Sequence, residues 1–273
     1  MSVIMVPVAN RPECVHALNV AFGLAVDLGG KVVGYHLHPH KNESTKIKSS
    51  KGQAKEACKL FDDVASQAGF VVKSKITTSM DPAAHWHEIV GTPDKVMPII
   101  GPLSDMIVVS RPKGAAKGEH GKIARRFLIQ ALRASGRPTL ILPQRRIKTL
   151  GKRVLIGWDQ SNTSVQALIG ALPVLRQAQE VVIHSAGANY QSAPKANHAK
   201  AYLAMHGIKS KVTKSKGVHV EQDLEDAYEA NGSDLLVIGA YSRARIVERL
   251  LGGTSEHFIM KTSMPVLATH AAT

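Results

Sequence analysis

Aromatic residues make up only 4% of this 273-residue chain, so the core it buries is expected to be aliphatic. Cysteine is scarcer still. Cys14 and Cys58 are the only two, too few for a disulfide framework, and a reduced, cytoplasmic setting is the expectation. Cys14, near a helix start, could carry a lowered thiol pKa, but a small residue on a helix flank is the favoured role. No apolar run approaches the roughly 18 residues of a membrane span. The opening MSVIMVPVAN lacks a basic region and a cleavage site, so it reads as a first strand and not as a signal peptide. Catalytic words are missing too. There is no Gly-x-Ser-x-Gly and no Cys/His arrangement that the sequence places together, so turnover beyond slow nucleotide hydrolysis is not supported. Acid is also short. Residues 1–150 carry 22 Lys+Arg against 11 Asp+Glu, and residues 151–273 carry 13 against 10, which accounts for the net +14. Such a surface favours an anionic partner, whether nucleotide, nucleic acid or acidic lipid.

What is present is said twice. VIMVPVANRPECVHAL (3–18) parallels VLIGWDQSNTSVQAL (154–168), with Val15 matching Val165 at an offset of 150. SDMIVVSRP (104–112) parallels SDLLVIGAY (233–241) at 129, and GRPTLILP (136–143) parallels TSMPVLATH (262–270) at 127. The landmarks keep their order while the loops shorten, as a tandem duplication would leave them. The expected domains are residues 1–145 and 151–273.

Within each copy short apolar β-rich runs alternate with helix-period stretches. Strands are expected near 3–8, 31–37, 70–76, 105–110 and 138–142, then near 153–158, 180–185, 209–214, 234–239 and 265–269. Helices are expected near 12–28, 51–68, 92–100 and 120–134, then near 163–177, 195–206, 220–231 and 254–262. This rhythm predicts an α/β chain of two doubly wound, Rossmann-like domains with parallel strands. Ligands of such sheets sit outside the carboxyl ends of the strands, at the switch point. The residues to inspect therefore follow strands one and four.

In the second copy strand one ends in IGWDQSNTS. Asp159 can accept a hydrogen bond from a ribose hydroxyl or an adenine amine, or can cap the next helix. Strand four ends at Gly239, followed by Ser242, nine residues, then Gly252, Gly253, Thr254 and Ser255. Glycines let backbone approach a phosphate, and a helix start offers free N–H groups. A Gly-led turn with a Thr cap that binds nothing would look the same.

GWDQS, GAYS, LLGGTSEHFI and MPVL together resemble the universal stress proteins, whose nucleotide-binding members carry Gly-x2-Gly-x9-Gly-Ser/Thr after strand four and an Asp after strand one. The resemblance runs over nearly the whole chain as two copies. It implies five-stranded sheets of order 3-2-1-4-5, adenine nucleotide (ATP) binding in some members, and dimers paired through the last strand. A tandem chain would form that pair internally, as a pseudo-dimer, with further homodimerisation left open. It implies Asp159, Gly239, Ser242, Gly252, Gly253, Thr254 and Ser255 as the nucleotide site of a stress-response protein. Two positions depart from the pattern. Ser242 stands where the second glycine is expected, and Gly253 where Ser or Thr should follow Gly252.

Copy one lacks these features. Ala9 matches Asp159, and Arg126, with Arg125 beside it, matches Gly253. With Lys113, Lys117 and Lys122 these cations suggest a solvated helix face or a contact with copy two, on a degenerate partner domain. The alternative function is a nucleotide-free scaffold that docks an acidic protein or nucleic acid through this basic half. YHLHPH, with His36, His38 and His40, and HWHE, with His85, His87 and Glu88, hold the weak metal candidates, His36 and His38 first. Trp158 is expected to fill strand–helix packing. KNESTKIKSSKGQAK (41–55) reads as a loop leading into a helix, and Lys209, Lys211 and Lys214 suggest an edge strand facing solvent.

Overall fold

The computed structural model describes residues 2–38, 44–73, 75, 81–112, 119–187, 191–240 and 254–270, with the side chains of 44–50, 119, 120 and 255 left aside. Two compact units emerge, Met1–Gln144 and Arg145–Thr273.

In unit 2 the strands are β7 (Arg153–Gly157), β8 (Glu180–Ala186), β9 (Lys211–Ser215), β10 (Leu235–Gly239) and β11 (Val266–Thr269). They lie in the order β9-β8-β7-β10-β11, and every neighbouring pair is parallel. Counted within the unit, this is 3-2-1-4-5. The crossovers are α5 (Asn162–Leu175), α6 (Ala196–Met205) and α7 (Val220–Ala230). The last connection holds α8 (Thr254–Glu256), which widens into a π-helical turn over His257–Lys261 closed by Thr262 N–H donating to His257 O. β9 pairs only with β8, and its lysines face solvent, as an edge strand requires.

Unit 1 repeats the plan with one addition. Its strands are β1 (Val3–Pro7), β2 (Lys31–His38), β3 (Val71–Val72), β4 (Ala83–Val90), β5 (Met106–Ser110) and β6 (Thr139–Leu142). The helices are α1 (Pro12–Leu28), α2 (Ser44–Gln67), α3 (Pro93–Ile100) and α4 (Glu119–Ala134). The order β3-β4-β2-β1-β5-β6 corrects the five-stranded expectation. The strand expected at 70–76 shrinks to two residues at the edge, and β4 takes the place beside β2. In AAHWHEIV the histidines interrupt the apolar pattern that marks the other strands. α2 begins at Ser44, so most of the lysine-rich 41–55 stretch is helix and not loop.

The repeated Ser-Asp word has a structural cause. Asp105 accepts the Val3 N–H at 2.8 Å, and Asp234 accepts those of Arg153 and Lys152 at 3.0 and 3.2 Å. Each aspartate pins the start of strand one to the start of strand four. The cores are largely aliphatic. The few aromatics concentrate beneath α2, where Phe22 lies 5.6 Å from Phe61 and 5.0 Å from Phe70, and Phe61 lies 5.5 Å from Trp86. Gly34 is required there, because a Cβ would stand 2.7 Å from the Phe61 ring.

Candidate functional site

β7 and β10 are neighbours, so the loops that follow them open at one place on the sheet edge. After Gly157 the chain buries Trp158, whose indole N–H donates to Pro194 O at 2.9 Å. This is packing, as expected. Asp159 comes next, half-buried. Its Oδ1 accepts the Ser161 N–H at 3.0 Å and the Ser161 hydroxyl. Gln160 between them takes a positive φ of 64°, a conformation that costs a non-glycine residue about 1–2 kcal/mol. Ser161, and not Asp159, caps α5, its Oγ accepting the Ser164 N–H at 3.1 Å. The carboxylate is thus held by the cap in a fixed orientation.

Gly239 closes the other side. A Cβ there would stand 2.6 Å from Ser164 N, Thr163 C and Thr163 Oγ1. Its glycine is demanded by α5 resting against the end of β10. Thr163 Oγ1 also lies 2.8 Å from the Ser161 hydroxyl, so Asp159 and Gly239 meet around the first turn of α5. Ala240 is fixed by its N–H to Thr269 O at 2.9 Å and by His270 Nδ1–H donating to its carbonyl at 3.1 Å. Thr254 opens α8, and three residues on His257 Nε2 lies 2.7 Å from Glu225 Oε1 of α7. Ser242, Gly252 and Gly253 lie outside the described residues, as does the Ser255 side chain.

Sequence reasoning missed a network flanking this edge. His184 Nδ1 lies 2.9 Å from Thr213 Oγ1 and its Nε2 3.2 Å from Ser215 Oγ. Ser215 donates to Asp223 Oδ2 at 2.7 Å, which also accepts the Gly217 N–H at 3.0 Å. Since the Ser215 proton goes to the carboxylate, its oxygen accepts from His184 Nε2–H, leaving Nδ1 to accept from Thr213. Serine stands between histidine and aspartate, so nothing here activates a nucleophile. Burial holds the His184 imidazole below its ordinary pKa. Below the network Gly187 and Gly217 cross with φ of 67° and 70°, and a Cβ on Gly217 would stand 2.6 Å from Gly187 Cα. The paired glycines just past both strand ends were the available signal.

The matching place in unit 1 is built differently. α1 is preceded by Arg11 at its N-cap position, which makes no side-chain cap. Ala9 has no carboxylate to offer; its N–H donates to Cys14 Sγ at 3.4 Å and its carbonyl accepts the Arg11 N–H at 2.8 Å, and burial pushes the Cys14 thiol up, away from reactivity. Where unit 2 has Gly239, Ser110 donates to Glu13 O at 2.6 Å. Next to it Arg111 is buried, which lowers its guanidinium to about 10. Arg126 is exposed and pairs with Asp94 at 3.2 Å, Lys122 and Arg125 are exposed, and Lys113 and Lys117 lie outside the described residues.

The histidine words do meet, since β2 and β4 pair. His38 Nε2 lies 2.8 Å from Glu88 Oε2, and that imidazole holds the carboxyl below the usual range. His36 Nδ1–H donates to Val8 O at 2.9 Å, while His85 Nδ1–H donates to Lys73 O at 3.1 Å. His40 lies outside the described residues. Among the described residues no group of three or more His, Cys, Asp or Glu is placed to hold a metal ion, and no helix is long and apolar enough to cross a membrane.

Comparison with known proteins follows the same lines. The whole chain superposes on a universal stress protein from Archaeoglobus fulgidus with a TM-score of 0.71, at 17% identity and covering 98% of each chain. A functionally unknown protein from Pseudomonas aeruginosa gives 0.57 at 12% identity, covering 99% of this chain and 93% of that one. At such identities these establish the fold alone. In sequence, 168 residues are 27% identical to a universal stress protein of Synechocystis, spanning 60% of this chain and only 57% of that relative. Residues 151–270, less than half of the chain, match the model of the universal stress protein family, so unit 2 is similar to those proteins in sequence as well as in fold.

Proposed function

We propose that unit 2 binds an adenine nucleotide, ATP in the first instance, at the carboxyl ends of β7 and β10. The observation that carries this reading is Asp159, a carboxylate oriented by Ser161 at the exit of the first strand, where unit 1 has only Ala9. One oxygen is engaged by the cap, and the other can accept from a ribose hydroxyl or the adenine amine. Gly239 serves by letting α5 close on β10. Ser242, Gly252, Gly253, Thr254 and Ser255 would supply amides and hydroxyls to the phosphates, which need both charge-bearing dipoles and close backbone approach. Nucleotide occupancy would then tune a cytoplasmic stress response through a protein partner, with unit 1 as the nucleotide-free half.

Calorimetric titration of ATP into the full chain and into Asp159→Ala tests this. Heat with wild type and at least about tenfold weaker binding in the variant is expected, the cost of one charge-assisted hydrogen bond. No heat with either protein refutes it. A second reading is favoured by the exposed Lys122 and Arg125 on α4, where unit 1 would dock an anionic macromolecule. It requires binding that falls steeply with salt and maps to α4.

A further inference from the structure

The two units treat one face of their second strand differently. In unit 2 α7 covers it. Leu224 stands 3.2 Å from where a Cβ on Gly157 would be, and Asp223 reaches His184 through Ser215. Gly157 and His184 are register partners, so both mark the face under α7. There β8 is buried on both sides, with Val182 and His184 among its core.

The offset of 150 carries Gly157 to Pro7, whose register partner is Tyr35. Tyr35 is therefore the counterpart of His184, and Val33 of Val182. Yet in β2 Val33, Tyr35 and Leu37 are only half-buried, whereas Val32, Gly34 and His36 on the opposite face are fully enclosed. α3 holds 8 residues against 11 for α7, carries Pro93 and Pro98, and packs chiefly on α4 through Val96, Met97 and the Asp94 contacts to Arg126 and Gln130. The open face continues onto β4, where His87 stacks on Tyr35 at 5.4 Å and Ile89 pairs with Leu37. Beyond Ile89 a groove runs between Val90 and Ile99, which are 48% and 69% exposed, with Lys95 on its wall. At the other end His85 is 3% exposed and its Nε2, an acceptor because Nδ1–H serves Lys73 O, has no hydrogen-bond partner among the described residues. Lys31 and Lys73 stand around it.

We propose that this face of unit 1, centred on Tyr35, Leu37, His87 and Ile89, docks an acidic amphipathic helix of a partner protein. The duplicated fold shows what such a face accepts: α7, VEQDLEDAYEA, offers five carboxylates around a buried leucine. The rim of the unit 1 face is cationic, with Lys31 and Lys73 around His85 and Lys95 on the groove wall, so charge complementarity selects an acidic helix. An apolar stripe on the partner would seat on Leu37 and Ile89.

The probe is a stapled, fluorescein-labelled peptide with the sequence of residues 217–232, titrated into the full chain and followed by anisotropy. Saturable binding is expected, weakened about tenfold or more by Tyr35→Asp and by His87→Glu, as for a central contact residue. A peptide with its glutamates replaced by lysine should lose binding, while the α4 variant Lys122→Glu/Arg125→Glu should leave it unchanged. His87→Glu changes a half-exposed side chain, so it keeps the test open if Tyr35→Asp does not fold, and each variant is checked by its melting profile. Absence of saturable binding overturns the proposal, as does binding indifferent to both variants, which would place the peptide elsewhere. So does competition by single-stranded RNA at equal strength regardless of peptide charge. Sedimentation showing a dimer that the same variants dissociate would assign the face to a second copy and overturn it too.

Discussion

Gly239→Ala separates a glycine kept for packing from one kept for a ligand. The added Cβ would lie 2.6 Å from backbone atoms of Thr163 and Ser164 and from Thr163 Oγ1. Favourable carbon contacts lie near 3.5–4.0 Å, so α5 must retreat by about 1 Å. It cannot retreat freely. Its first turn is fastened by the Ser161 cap and, through Ser161, to Asp159. Overpacking of this kind costs about 1–3 kcal/mol. At about 4 °C per kcal/mol for a unit of this size, the melting midpoint of unit 2 should fall by about 4–12 °C without any nucleotide present. The assay is thermal and urea unfolding followed by fluorescence in a Trp86→Phe background, where buried Trp158 reports on unit 2 alone. Unit 1 supplies the control. There the counterpart is Ser110, whose hydroxyl already spans the gap to Glu13 O, so Ser110→Gly should cost only the one hydrogen bond, about 1 kcal/mol. If Gly239→Ala leaves apo unit 2 within about 0.5 kcal/mol of wild type, a spread typical of surface changes, the packing account of this glycine is wrong.

Two other perturbations probe unit 2. Gly217→Ala combines a φ of 70° with a contact of 2.6 Å to Gly187 Cα, so a loss of about 2–4 kcal/mol is expected from strain and clash together; circular dichroism melts decide, and an unchanged midpoint refutes it. Protonation should also weaken this unit. Because burial lowers the folded pKa of His184 below its ordinary 6.5, the unfolded chain takes up the proton first. The stability tied to the neutral imidazole is full above about pH 6.5 and is lost as the pH falls below it. In the Trp86→Phe background, His184→Asn should flatten the slope of unfolding free energy between pH 7.5 and 5, and an unaltered slope would show that His184 is not the titrating group.

Parallel strands and crossovers were legible because they rest on apolar periodicity, which short-range physics writes directly into sequence. β4 was not legible. His85, Trp86, His87 and Glu88 break the apolar run, and their place in the sheet depends on Phe61 and Gly34 making room for Trp86 beneath α2. The start of α2 at Ser44 was missed for a similar reason: lysine and serine read as loop until the apolar stripe begins further along. At the candidate site, residue type singles out Asp159 and Gly239, but their surroundings depend on tertiary contact. No local pattern says that Gly239 faces Thr163, or that the aspartate passes its capping duty to Ser161 and keeps an oxygen to spare. The His184–Ser215–Asp223 chain joins three elements and could not be assembled from spacing alone.

The differences between the units around their first helices are coupled. Asp159, Ser161, Ser164 and Gly239 in one unit stand where Ala9, Arg11, Cys14 and Ser110 stand in the other. The capped helix start rests directly on a glycine, with the Ser164 N–H satisfied by Ser161 and no side chain intervening. In unit 1 the helix start is uncapped and the gap is filled by the Ser110 hydroxyl, which donates to Glu13 O. Restoring a carboxylate alone, by Ala9→Asp, would therefore leave unit 1 without the serine that orients it. The variant should gain no nucleotide affinity in calorimetry unless Arg11→Ser accompanies it. Even then the buried Arg111 at the exit of β5 occupies the position that Ala240 leaves small in unit 2. Binding by Ala9→Asp alone would show that the carboxylate needs no cap, and would remove the main support for Asp159 as the residue on which the second unit's site depends.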